Sequence, residues 1–292
     1  MANSAPVLGI IGGSGLYQMD GIENIESVTV STPFGDPSDA IICGELNGMK
    51  CAFLPRHGVG HKFTPTEVNY RANIWALKSL GVHAILSISA VGSLREKIEP
   101  GHLVCPTQFI DRTRNRPSTF FGDGIVAHVQ FGHPIEENFR QIVLGEARQS
   151  QSVVHDGGCY VCIEGPAFST LAESHLYRSW GGDVVGMTNV PEAKLAREAE
   201  IAYATLALST DYDCWREGHD EVSVEAVLKI VKQNVAVAQD VIRGVAKTLA
   251  DIGTFDWPAH HALGGGTAIM TNPELISDEV RTRLAPILGK HI

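Results

Sequence analysis

The chain has 292 residues, 44% of them hydrophobic and 19% charged, a composition that excludes a disordered or fibrous protein and fits a globule with a large core. A net charge of −10 excludes the basic face that non-specific nucleic-acid binding needs, while leaving room for a local anion site. The opening residues carry no basic run ahead of their apolar stretch, no segment approaches the roughly 20 apolar residues of a membrane span, and six scattered cysteines do not suit a disulfide framework, so a cytosolic protein is expected. Cys159 and Cys162, the one close pair, stand in a strand-like run and read as buried thiols rather than metal ligands.

In chain order, an apolar strand over 7–11 leads directly into Gly12-Gly13-Ser14-Gly15, where backbone N–H groups and a hydroxyl can approach an anion. This is neither the dinucleotide fingerprint, since Gln18 stands where the third glycine belongs, nor a P-loop. Asn47-Gly48 marks a hairpin between strands over 40–43 and 51–54. The second of these ends in Pro55-Arg56-His57-Gly58, a fork of donors beside a switchable charge. The spacing predicts a helix from Thr66 to about Leu80, followed by a near-continuous apolar strand over 82–89 and a small-residue loop at Ser89-Ala90-Val91-Gly92-Ser93. Three early strand ends thus carry anion-binding chemistry, and the coincidence weighs more than any one of them.

Further on, a strand over 103–110 gives way to a basic, turn-rich segment over 111–121, and a helix is expected over 136–149. His128, between them, reads by itself as a surface or packing histidine. A strand over 160–163 ends in Glu164-Gly165-Pro166-Ala167-Phe168-Ser169, and Thr170 with Glu173 forms a capping box that opens a helix to Trp180. A short strand over 184–187 ends at Thr188-Asn189, and Pro191 suits the first position of the helix behind it. The strand over 202–208 stops in Ser209-Thr210-Asp211-Tyr212-Asp213. Residues i and i+2 of an extended chain point the same way, so Asp211 and Asp213 could face one ligand, their mutual repulsion keeping one protonated. A solvated acidic turn is the plainer alternative. The longest helix is expected over 223–249 and a last one over 277–288. With no linker and no repeat, residues 1–292 read as one α/β domain whose mixed sheet is covered by helices on both faces.

The stretches IIGGSGLY, PRHGVGHKFTPTEVNYRANIWALKSLGV, SAVGSLR, IEGPAFSTLAES, GMTNVPEAKLAREAEIAYA and STDYDCW resemble the purine nucleoside phosphorylase family, in register from about residue 7 to 249, and within it the branch that cleaves S-methyl-5′-thioadenosine. The resemblance implies a single domain built on a mixed, partly barrel-like sheet, usually assembled as a homotrimer, that uses inorganic phosphate as co-substrate and no cofactor or metal. It implies a reaction that yields adenine and 5-methylthio-ribose 1-phosphate. It places phosphate on Ser14, Arg56, His57, Ser89, Ala90 and Thr188. Met187 and Phe168 would lie against the ribose and base, and Ser169, Thr210, Asp211 and Asp213 against the purine edge. Asp213 would protonate N7 while Asp211 takes the 6-amino group. Val224, Val227 and Leu228, at i, i+3 and i+4, would wall the 5′ substituent, with His128 of a neighbouring subunit opposite. Ala167 stands where the family carries arginine, and from about residue 258 the tail departs from the animal-type pattern. Alternatives are a broader purine nucleoside phosphorylase, a histidine phosphatase, whose opening strand also ends in Arg-His-Gly, and a non-catalytic nucleoside-binding protein.

Overall fold

Residues 7–13, 15–16, 19–216 and 224–292 are described by the computed structural model, the side chains of 224–229 and 231–233 excepted. The first apolar run forms β1 (Val7–Gly12), buried from Leu8 onward. β2 (Ile22–Val28) is mostly exposed, so no alternation of apolar residues announces it, and the sequence reading misses it. β3 (Ile41–Leu46) and β4 (Met49–Pro55) make the expected hairpin, with Asn47 and Gly48 at φ of 51° and 83°, the left-handed pair that its two-residue turn requires.

The first helix, α1 (Tyr70–Ser79), starts four residues later than expected: Asn69 caps it by accepting from the Ala72 N–H, whereas the Thr66 hydroxyl is spent on Glu164 Oε1 at 2.6 Å. β5 (Val82–Ser93) continues through residues 89–93, which read as a loop from their small side chains; pairing on both edges carries the strand to its end. The single strand expected over 103–110 is two, β6 (Leu103–Cys105) and β7 (Gln108–Arg112), parted around Pro106, which has no N–H to give a ladder.

Next come α2 (Glu137–Ala147), β8 (Val154–Asp156), β9 (Cys159–Ile163) and α3 (Leu171–Ser179), the last opened by the Thr170/Glu173 capping box. β10 (Val184–Gly186) precedes α4 (Asn189–Glu198), whose Val190 is extended, so the helix proper begins at Pro191. β11 (Ala202–Asp211) is buried along nearly its whole length, and α5 (Val224–Ile252) is the long helix. The last expected helix breaks at Leu284 into α6 (Asp278–Arg283) and α7 (Ala285–Leu288), because Pro286 cannot donate back into α6.

Among the described residues the strands form one mixed sheet, in the order β2-β3-β4-β1-β5-β10-β9-β7, with a branch β5-β11-β6-β8. α2 and α5 pack on β11, and α1 packs on α4 and α7. Burial of β5 and β11 on both faces explains why their sequences read as unbroken apolar runs. All six cysteines are free thiols. No described helix is long and apolar enough to cross a membrane.

Candidate active site

The fork in the sheet makes the site. One edge of β5 is taken by β11 from Ala84 to Gly92. The other edge is shared: β1 covers it from Val82 to Ser87, and β10, running the opposite way, covers Gly92 and Ser93. Residues 88–91 lie between, without a strand partner on that edge among the described residues. β1 therefore ends toward this gap from one side, carrying the Gly12-Gly13 turn, while β10 ends toward it from the other, carrying Met187 and Thr188. Such a switch point in an open sheet is where α/β folds hold ligands.

Arg56, at the end of β4, reaches under the gap. Its N–H donates to Gly12 O at 2.9 Å, its NH1 to Ile88 O at 3.0 Å and its NH2 to Ser87 Oγ at 2.6 Å. The fork itself does not face a ligand: Nε and NH2 bind both oxygens of Glu192 at 2.8 and 3.0 Å, with Arg56 only 3% and Glu192 1% exposed. This corrects the expectation of a free bidentate clamp. Burial works against the Arg56 charge, but Glu192 outweighs it and holds the guanidinium protonated. Of its five N–H groups, one on NH1 is left for a ligand. Tyr203 OH donates to the same Glu192 at 2.8 Å.

His57 is half-buried, stacked on His61 with ring centroids 4.3 Å apart. Burial, then the adjacent Arg56 charge, pushes its pKa down to about 4. The neutral ring must carry its proton on Nδ1, which lies 2.9 Å from the Phe63 carbonyl, so Nε2 presents a lone pair. His61 touches the site through this stacking. Ser89 is buried with its hydroxyl 3.0 Å from Tyr160 OH, and Ala90 is exposed in the gap. Thr188 is buried at the N-cap of α4, yet its hydroxyl caps nothing there. Ser14 lies outside the described residues.

The purine-side carboxylates stand at the end of β11, where the register with β5 shifts between Ser209 and Asp211. Asp213 has a left-handed φ of 50°, and its N–H donates to Asp211 Oδ1 at 2.7 Å, while Thr210 Oγ1 donates to Asp211 Oδ2 at 2.7 Å. The pair is thus brought together by a turn and not by an extended strand, which corrects the i, i+2 argument. Gly92 faces this turn; a Cβ there would sit 2.8 Å from Asp211 Oδ1, so the close approach requires glycine. Trp215 Nε1 pins the turn to Ser93 O at 2.7 Å, and Arg178 stacks over the Trp215 ring at 3.4 Å.

Both carboxyls have raised pKa values, chiefly through burial. For Asp213, repulsion from Asp211 is a secondary cause, and the Ser174 and Ser169 hydroxyls beside it act in the opposite sense. These contacts fall short of good hydrogen-bond geometry: among the described residues, Asp213 Oδ2 and the Ser169 and Ser174 hydroxyls are buried side by side with no hydrogen bond of proper length and angle. Asp211, in contrast, accepts on both oxygens. One carboxyl is fixed as an acceptor and the other is free to hold a proton.

Phe168 is 43% exposed beside Ser169, on the rim of a cavity of about 340 Å³ that Ile163, Glu164 and Tyr177 also line. Met187 packs against Gly165, whose missing Cβ would lie 2.6 Å from its Sδ. His128 is exposed and touches none of these residues; its segment is tied to the tail by the Ala127–Ile269 bridge and by its N–H to Ala268 O at 2.9 Å. Val224, Val227 and Leu228 lie in the first turns of α5, and their side chains are outside the description. Sequence reasoning missed three buried residues that hold the site, Glu192, Tyr160 and Arg116. A buried Arg56 demands a counter-charge, but nothing local says which of the many carboxylates supplies it.

The chain belongs to the phosphorylase superfamily, whose family model matches residues 7–247. It is 53% identical to an S-methyl-5′-thioadenosine phosphorylase of Geobacter sulfurreducens, over 98% of this chain and 99% of that one, and 54% identical to that of a Synechocystis species, over 99% and 88%. Among solved structures it is similar to a methylthioadenosine phosphorylase from an Antarctic soil metagenomic library (51% identity, 97% and 99% of the two chains, TM-score 0.92). It is also similar to the Schistosoma mansoni methylthioadenosine phosphorylase in complex with adenine (36% identity, 97% and 98%, TM-score 0.81).

Proposed function

We propose that this protein is a pentosyltransferase that cleaves S-methyl-5′-thioadenosine with inorganic phosphate, giving adenine and 5-methylthio-ribose 1-phosphate in purine and methionine salvage. The observation that carries the reading is the gap in β5, with Arg56, His57, Ser89, Ala90 and Thr188 gathered around it and the carboxyl pair Asp211 and Asp213 at the end of β11, which pairs with the other edge of the strand. The Arg56 N–H left on NH1 would donate to phosphate, and His57 Nε2 would accept from a P–OH. A phosphate oxygen attacks C1′ as the C1′–N9 bond breaks, and the ribose passes through an oxocarbenium-like state held in place between the two sides. Asp213, buried with a raised pKa and an unpaired oxygen, donates its proton to N7, so that adenine leaves neutral. Asp211 accepts from the 6-amino group. Phosphate is a co-substrate, and the chemistry needs no cofactor or metal.

Met187 and Phe168 would hold the ribose and base, with Ser169 and Thr210 at the purine edge and Ser14 on phosphate. Val224, Val227 and Leu228 would face the 5′ methylthio group, and His128 of a neighbouring subunit would close it in. We further propose a homotrimer in the cytoplasm. Exposed Phe168, Leu171, Leu176 and Trp180, on and beside α3, support a subunit contact next to the site. The six free thiols suit a reducing compartment.

The deciding experiment mixes enzyme, nucleoside and phosphate and follows free base. Adenine should appear from methylthioadenosine only when phosphate is present, and inosine should be a poor substrate. Asp211→Asn should shift preference toward 6-oxopurines by roughly tenfold or more, the cost of mismatching a buried hydrogen bond. Base release without phosphate, or equal turnover of inosine and methylthioadenosine, would refute the assignment.

A further inference from the structure

We infer that Arg116 is a positioning residue for the ribose and base side of this site, holding together the chain just past the ends of β9 and β10; the inference rests on the nucleoside reading above. Arg116 lies in the turn-rich segment after β7, and its side chain is 1% exposed. Unlike Arg56, it makes no hydrogen bond to a carboxylate. The nearest, Glu164 Oε1, is 3.6 Å from Nε, and Nε has no hydrogen-bond partner among the described residues. The guanidinium is spent on main-chain carbonyls. NH1 donates to Met187 O at 2.5 Å and NH2 to Glu164 O at 2.5 Å, with Tyr70 OH, Val190 O and Ile163 O at 3.2–3.4 Å.

These carbonyls belong to residues just past the strand ends, where the sheet ladder no longer supplies donors. One planar cation satisfies both, so it holds the two chains together beyond their last paired residues, Cys162 and Gly186, where the ladder stops. From one end the chain continues into Gly165, Phe168 and Ser169, and from the other into Thr188. The two ends already touch: Gly165 has φ of 66°, and Met187 Sδ fills the space a Cβ would take. Loss of the clamp would let Met187 and the loop bearing Phe168 drift relative to each other. Among the described residues Arg56, His57 and Ser89 form no hydrogen bond with Arg116, and Thr188, next in the chain after Met187, is the one phosphate-side group beside the clamp, so the effect should fall mainly on the nucleoside. Lysine, with a single point charge, can serve one carbonyl but cannot span two in a plane.

The test is steady-state kinetics of Arg116→Lys with methylthioadenosine and phosphate varied separately, together with the shift in Tm that phosphate alone produces. The expected result is a nucleoside KM about tenfold or more higher, matching the loss of one charge-assisted bond, with the phosphate KM changed less than about twofold. The phosphate-induced Tm shift should be retained. A parallel rise of both KM values, loss of the phosphate shift, or an unchanged nucleoside KM would overturn the inference. If Arg116→Lys does not fold, Tyr70→Phe, which removes a hydroxyl partner of NH1 together with that hydroxyl's bond to Pro65 O, should show the same split in weaker form; no split there is equally fatal. A wild type that releases no adenine would instead bring down the nucleoside reading, and this inference with it.

Discussion

On the phosphate side, all but one of the guanidinium N–H groups are already committed within the fold. Arg56 has a bidentate carboxylate, a hydroxyl and a main-chain carbonyl as partners, and His57 is neutral with its proton committed to Phe63 O. On the purine side the polar atoms are left waiting: among the described residues, Asp213 Oδ2, Ser169 Oγ and Ser174 Oγ are buried together without a well-formed hydrogen bond. The contrast teaches that one half of the site is part of the fold's own bonding, while the other holds unsatisfied capacity that a ligand can complete. Buried polar groups without partners cost stability, and in a native protein they point to function.

The largest effect should come from breaking the committed half. Arg56→Ala removes the charged partner of Glu192 and leaves a carboxylate buried with the Tyr203 hydroxyl beside it, costing roughly 3–5 kcal/mol. Thermal unfolding should show a drop on the order of 10 °C together with loss of phosphorolysis. Pairing it with Glu192→Leu should restore most of the Tm without restoring activity. A stable Arg56→Ala protein would mean that Arg56 is not structural.

The purine side should behave in the opposite manner. Asp213→Asn should lower kcat by about 10²–10⁴, the range of general-acid catalysis, with Tm unchanged or raised, since it removes a buried carboxyl whose ionisation burial disfavours. In the wild type, kcat/KM should fall as pH rises through the raised Asp213 pKa, because the proton donor is lost, and this limb should vanish in the variant. A Tm loss as large as that of Arg56→Ala would erase the distinction between the two sides.

The smallest effect concerns His57. Its pKa falls from 6.5 to about 4 in the folded chain, so its contribution to stability is full above pH 6.5 and is lost as pH falls toward 4. His57→Gln should flatten the decline of Tm over that interval by a few degrees. An identical Tm profile would show that His57 is not held neutral.

Much of this was readable from local chemistry. The Asn47-Gly48 hairpin, the Thr170/Glu173 capping box and the abrupt ends of β4 and β11 need only neighbouring residues to specify them. Thr66 has the side chain of a helix cap, and only the fold shows its hydroxyl directed to Glu164, 98 positions away. The extension of β5 was hidden because Ser89, Ala90, Gly92 and Ser93 have loop-like side chains, and pairing with β10 and β11 overrides that preference.

Short-range pattern is enough to specify which residue types stand at the strand ends, the alternation of strands and helices, and the likeness that points to nucleoside chemistry. Only the tertiary structure decided that Arg56 spends its fork on Glu192, 136 positions away, that Arg116 clamps Glu164 and Met187, and that a gap on β5 lies between β1 and β10. The reason is physical: a buried charge must find partners, many residues of suitable type are available along the chain, and which one meets it is fixed by how the strands pair.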